Sequence, residues 1–115
     1  MATEDDVRRI ALSLPAVTER PSYGMPGFRV QDKLFARIHE QPGVLVVWRP
    51  SVEDKAALLA ADAHTFFTTP HYDDRPIVLV RLAAVDNTKL GELLCEAWDA
   101  RAGARLRSQG ACSNE

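Results

Sequence analysis

Apolar positions change period several times along the chain, and each change marks an element. Val7, Ile10, Ala11 and Leu14 fall at i, i+3, i+4 and i+7, the stripe of an amphipathic helix. Thr3 followed by Glu4, Asp5 and Asp6 supplies its N-cap and an acidic first turn, and Pro15 stops it. Residues 16 to 27 carry Pro21, Gly24, Pro26 and Gly27 and read as a stiff connection. From Phe28 the period is two: Phe28 and Val30 alternate with Arg29, Gln31-Asp32-Lys33 forms a polar turn, and Leu34, Ala36 and Ile38 alternate with Phe35, Arg37 and His39. Glu40-Gln41-Pro42-Gly43 breaks this hairpin from Val44-Leu45-Val46-Val47-Trp48, which is too β-branched for a helix. Ser51 caps a second helix running to about Asp62. Phe66 to Thr69 is a short strand ended by Pro70, and Ile77 to Leu82 is the strongest strand signal. Asp86 caps a last helix in which Leu90, Leu93, Leu94, Ala97 and Trp98 share a face, with Gly103 beyond its end.

The order α-β-β-β-α-β-β-α lacks the βαβ alternation of a parallel sheet. It predicts an α+β two-layer sandwich, with a five-stranded antiparallel sheet and helices on one face. Val7, Ile10, Leu14, Val30, Leu90, Leu94 and Trp98 are its expected core. At 115 residues the chain is the size of one domain. The domain is expected over residues 1–106, with 107–115 a flexible tail.

Charge narrows the functional classes. With 14 basic and 16 acidic residues the formal net charge is −2, so any attraction to nucleic acid must come from a local patch. Cys95 and Cys112 lack C-x-x-C spacing and read as reduced thiols. His39, His64 and His71 share no ligand spacing, so neither a metal nor another cofactor is expected. The serines Ser13, Ser22 and Ser51 lack a nucleophile elbow, and the run His71-Tyr72-Asp73 is too local to converge on one reacting atom, so no catalytic constellation is expected. Acids near the N-terminus and the lack of any long apolar run predict a cytoplasmic protein with no membrane association.

The strands carry a more specific signal. Arg29, Arg37, Arg49 and Arg81 occupy one position each in four of them. If Gln31-Asp32-Lys33 and Gln41-Pro42-Gly43 are three-residue loops, parity places Arg29, Arg37 and Arg49 on one side. Phe35 joins Arg37 there, and Leu45, Val47, Ile77 and Leu79 interleave. The expectation is an arginine row on the helix-free face, with Lys33 and Arg75 at hairpin tips.

Longer motifs bear a family resemblance. Pro21-Ser22-Tyr23-Gly24-Met25-Pro26, Phe28-Arg29-Val30, Lys33-Leu34-Phe35-Ala36-Arg37, Phe66-Phe67-Thr68-Thr69-Pro70-His71-Tyr72 and Leu93-Leu94-Cys95-Glu96-Ala97-Trp98 resemble, in order and spacing, the MmcQ/YjbR family of small bacterial proteins. The resemblance spans roughly residues 5 to 106. It implies a five-stranded antiparallel α+β fold and DNA binding by analogy with a double-wing architecture. Many members carry a Lys-x-His-Trp element after the Pro-x-His-like turn. Here Asp73-Asp74-Arg75-Pro76-Ile77 stands instead, and two acids would repel phosphate at that loop.

Two functions fit the arginine-bearing face formed by Arg29, Lys33, Phe35, Arg37, Arg49, Arg75 and Arg81. One is a non-enzymatic module that binds DNA weakly, since arginine suits bidentate phosphate contact. The other is a protein-interaction or self-association surface, favoured by the mixture of arginine, Phe35 and aliphatic side chains. A small-anion site or an enzyme ranks below both.

Overall fold

The structure, a computed structural model, describes residues 1–108. Its sheet has six strands: β1 Val17–Ser22, β2 Met25–Val30, β3 Lys33–Ile38, β4 Val44–Trp48, β5 Phe66–Phe67 and β6 Ile77–Arg81. They lie in the order β1-β2-β3-β4-β6-β5, with all neighbours antiparallel. Helices α1 Glu4–Ser13, α2 Val52–Ala61, α3 Asn87–Arg101 and α4 Ala104–Ser108 complete the elements with two 3-10 turns, Pro70–Tyr72 and Leu82–Ala84. The α+β architecture is as predicted, with one strand more than expected. The expected boundary between domain and tail falls inside α4, and residues 109–115 lie outside the described residues.

The additional strand is β1, drawn from the segment read as a stiff connection. Its proline is tolerated because β1 is an edge strand, and Pro21 faces Pro26 across the ladder, where neither needs to donate. The turn into β2 is a two-residue hairpin with Tyr23 at φ 53° and Gly24 at φ 79°. The next turn has the same form, with Gln31 at φ 52° and Asp32 at φ 68°. Gly27 is required for close approach: a Cβ there would stand 2.9 Å from the Arg20 carbonyl oxygen.

Capping follows the sequence signals. Thr3 and Asp6 form a reciprocal capping box, Ser51 accepts from the Asp54 amide, and Asp86 accepts from the Lys89 amide. The main core lies between the sheet and the helices. Val7 and Ala11 of α1 and Leu90, Leu93, Leu94, Ala97 and Trp98 of α3 pack there on Phe28, Val30, Phe35, Ala36, Ile38, Leu45, Val47, Val78 and Val80. Ile10 and Leu14 are partly buried at its margin. Trp98 also satisfies its indole, which donates to the Pro15 carbonyl at 2.9 Å. Cys95, in α3, is disulfide-bonded, which corrects the reading of a reduced thiol; Cys112 lies outside the described residues.

A second, smaller cluster lies on the opposite face: Val44, Val46, Ile77, Leu79 and Tyr72. That face is therefore not fully open, because the connection from β5 to β6 folds back over part of it. Trp98→Ala and Phe35→Ala should each cost about 3 to 5 kcal/mol, because both side chains are fully enclosed. Urea denaturation checks this, and a loss below about 1 kcal/mol for Phe35→Ala would show its ring to be outside the core.

Candidate functional site: a cationic cleft

The faces of the sheet are assigned by loop lengths and one bulge. Across the two-residue turn Val30 pairs with Lys33 and Arg29 with Leu34; then the register shifts, so that Phe28 pairs with Ala36 and Gly27 with Arg37. Phe35 is the extra residue. The bulge turns Phe35 and Ala36 toward the helices together, while Leu34 and Arg37 stay on the other face. Arg29 and Arg37 do share that face, as the strand pattern predicts, but Phe35 does not: it is a core residue.

Arg49 is a second correction. The connection between β3 and β4 is a four-residue loop, Glu40 to Gly43, closed by the His39 amide donating to the Val44 carbonyl. Arg37 then pairs with Val46, so Arg49, three residues on, points to the helix side. There it is 4% exposed and donates to Asp54 at 2.6 Å and Glu96 at 2.8 Å. Burial works against its charge, and the two carboxylates more than offset it, so its pKa is raised. The same four-residue loop turns Leu45 and Val47 inward and leaves Val44 and Val46 outward. Arg81 keeps to the helix-free face but stands apart, over the Phe67 ring at 4.2 Å and donating to the His64 carbonyl at 3.1 Å.

What the helix-free face holds is a cleft of about 550 Å³. Its charged wall is Arg29, Lys33, Arg37, Arg75 and Arg101, with Asp32 the acid among its lining residues. Leu34, Val46, Trp48 and Ile77 form the apolar part, and Pro21, Ser22, Tyr23, His71 and Tyr72 complete it. Arg37 is 6% exposed; it donates to the Tyr72 hydroxyl at 2.9 Å, to Glu40 at 3.1 Å and to the Ile38 carbonyl. Burial opposes its charge, but the bonds to Tyr72 and Glu40 hold the pKa above its ordinary value. Arg101 comes from the last turn of α3. Its Nε donates to the Leu34 carbonyl at 3.0 Å, beyond the last β3–β4 pair, and its guanidinium lies 5.1 Å from the Trp48 ring centre. Burial lowers its pKa.

Across the cleft, Tyr72 and Arg75 are positioned by Lys55, a buried lysine of α2 whose ammonium donates to the carbonyls of Tyr72, Asp73 and Arg75. Arg29, Lys33 and Arg75 make no side-chain hydrogen bond or ion pair to any described residue. Several arginines elsewhere are neutralised: Arg8 by Glu19, Arg9 by Asp6, Arg20 by Asp32 and Arg49 by Asp54 and Glu96; Arg81, apart from the cleft, meets carbonyls and the Phe67 ring. Four of the cations without carboxylate partners, Arg29, Lys33, Arg75 and Arg101, line this one cleft.

A family model described as YjbR matches residues 12–100. The chain belongs to the YjbR family. Among curated relatives, uncharacterized protein Rv2570 of Mycobacterium tuberculosis and uncharacterized protein Mb2600 of Mycobacterium bovis are each 39% identical over 123 aligned positions, covering 92% of this chain and 93% of theirs. Among solved structures, Deinococcus radiodurans protein DR2400, with the family-model domain DUF419, superposes with a TM-score of 0.77 at 21% identity, over 100% of this chain and 97% of that one. This YjbR-family chain therefore shares its fold with DR2400.

Of the residues singled out from sequence, the fold brings Arg29, Lys33, Arg37 and Arg75 to the cleft, and takes Phe35, Arg49 and Arg81 away from it. Sequence reasoning missed Arg101, Tyr23, Tyr72 and Trp48. Arg101 had a signal: it continues the apolar stripe of α3 three residues beyond Trp98, where a charge is out of pattern. No helix is long and apolar enough to cross a membrane, and no group of metal-ligating side chains occurs among the described residues.

Lys55→Met keeps the stem but removes the ammonium from three carbonyls. It should destabilise the fold by about 1 to 3 kcal/mol. Amide exchange should accelerate more at Arg75 and Ile77 than at Leu90. Uniform acceleration would show that Lys55 holds no local structure.

Proposed function

We propose that this YjbR-family protein is a non-enzymatic nucleic-acid-binding module, whose cleft takes the backbone of a single strand and which holds duplex DNA only weakly. The observation that carries this reading is the collection of Arg29, Lys33, Arg75 and Arg101, none paired with a carboxylate, around one cleft in a chain of net charge −2. Lone guanidinium groups match phosphate oxygens, and Arg37 is already fixed by Tyr72 and Glu40. Tyr23 adds a stacking surface: its ring is 86% exposed, 5.5 Å from the Arg37 guanidinium. A recessed, partly apolar site suits a strand whose bases are unstacked better than the convex surface of a duplex. Asp73 and Asp74, exposed in the connection that carries Arg75, oppose a broad polyanion. The reading as a protein-interaction surface leaned on Phe35, which is in the core.

Fluorescence anisotropy at two or more salt concentrations tests the proposal. Labelled duplex should bind with Kd about 10⁻⁴ to 10⁻⁶ M at physiological salt, and a single strand more tightly. If three phosphates are neutralised, log K for the single strand should fall with log salt at a slope near −2, and Arg29→Ala or Arg75→Ala should flatten it by about 0.7. Arg81→Ala should change nothing. Salt-resistant, sequence-selective duplex binding, or equal damage from Arg81→Ala, would overturn the reading.

A further inference from the structure

We infer that the cleft is a seat for a terminal phosphate monoester carried on a planar, partly apolar body: the phosphorylated end of a single strand, or a free mononucleotide. The inference rests on the cleft-binding reading above and narrows it to one chemical group. A phosphodiester inside a strand carries one negative charge and two free oxygens, which one bidentate arginine satisfies. The cleft offers far more. Arg29, Lys33, Arg75 and Arg101 stand there without carboxylate partners beside Arg37. The single lining acid, Asp32, is already held by Arg20 at 2.8 Å. A monoester, with a charge of about −1.5 to −2 near neutral pH and three acceptor oxygens, matches that excess.

Geometry supports the same ligand. Arg37 lies opposite Gly27, and Arg29 is two residues from Gly27 on the same face, so the two arginines are diagonal neighbours across the ladder. Gly27 carries no side chain between them. Arg29 Nε is buried without a hydrogen-bond partner, a cost that an anion in the cleft would offset. The Tyr72 hydroxyl accepts from Arg37 and keeps its own proton for a ligand oxygen. The volume, about 550 Å³, is that of a small-molecule site, and inorganic phosphate alone would leave Leu34, Val46, Trp48 and Ile77 uncovered. Tyr23 bears on the planar body. A non-glycine residue at φ 53° is strained, and the turn holds that conformation while presenting an almost fully exposed ring at the cleft.

The test is competition anisotropy and calorimetry with a short oligothymidylate bearing a 5′-phosphate, the same strand with a 5′-hydroxyl, thymidine 5′-monophosphate, thymidine and inorganic phosphate. The 5′-phosphate should strengthen binding about tenfold or more over the hydroxyl, the expectation for added charge-assisted contacts, and Arg29→Ala should erase that difference. Tyr23→Gly relieves the strained turn, so the fold tolerates it. It should weaken the mononucleotide and leave inorganic phosphate unchanged. If both strands bind alike and Arg29→Ala weakens them equally, the phosphate seat is overturned while the single-strand reading stands. Mononucleotide binding with the phosphate preference but no strand binding supports the seat and overturns the strand. Failure of every probe overturns both.

Discussion

The register shift between β2 and β3 is the constraint on which both faces of this protein depend. One extra residue, Phe35, is absorbed opposite Phe28, and with it two consecutive side chains enter the core. Without the bulge, strict alternation from Leu34 would carry Ala36 outward with Leu34 and turn Arg37 in among the helices. With it, the Val30–Lys33 hairpin keeps a tight two-residue turn and Arg37 still lands beside Arg29. Core and cleft are thus two consequences of one local irregularity, and an aromatic ring on the inner face anchors it.

Charge is handled in opposite ways on the two sides of the sheet. On the helix side Arg49 is enclosed and bound to Asp54 of α2 and Glu96 of α3, so it ties two helices to the end of β4. A buried guanidinium of this kind is tolerated only with its partners, and removing one would leave a stranded charge. On the other side the arginines keep their charge by different means. Arg37 is sustained by a phenol and a carboxylate, Arg101 rests on a carbonyl and an indole face, and Arg29 has a buried donor with no partner. The first arrangement sets two carboxylates against one guanidinium, with only its Nη1 lacking a partner, whereas the second leaves several cations without carboxylates at an open cleft, as a recognition site is before its ligand arrives.

The connection from β5 to β6 joins these themes. Lys55 reaches from α2 to gather three carbonyls, Tyr72 is pressed onto Val44, Val46, Ile77 and Leu79, and its hydroxyl reaches Arg37. A short segment with prolines at Pro70 and Pro76 is thereby fixed as one wall of the cleft.

Much of the fold was legible in the sequence because it depends on local signals: caps at Thr3, Ser51 and Asp86, the apolar stripes of α1 and α3, and the period-two runs of β4 and β6. Strand β1 was not, since its Pro21 looks like a loop residue until an edge position and a facing proline make it harmless. The candidate site was half legible. Alternation placed Arg29 and Arg37 together, and the resemblance to the YjbR family was carried by motifs in order. The positions of Phe35 and Arg49 were decided by a bulge and by a loop one residue longer than its Pro-Gly core suggests; each changes parity, and parity is invisible in residue identity. Arg101, Tyr72 and Tyr23 reach the cleft from a helix end, a 3-10 turn and a hairpin tip. Only tertiary packing brings those together, because sequence periodicity records which side of its own element a residue occupies and nothing about which elements meet.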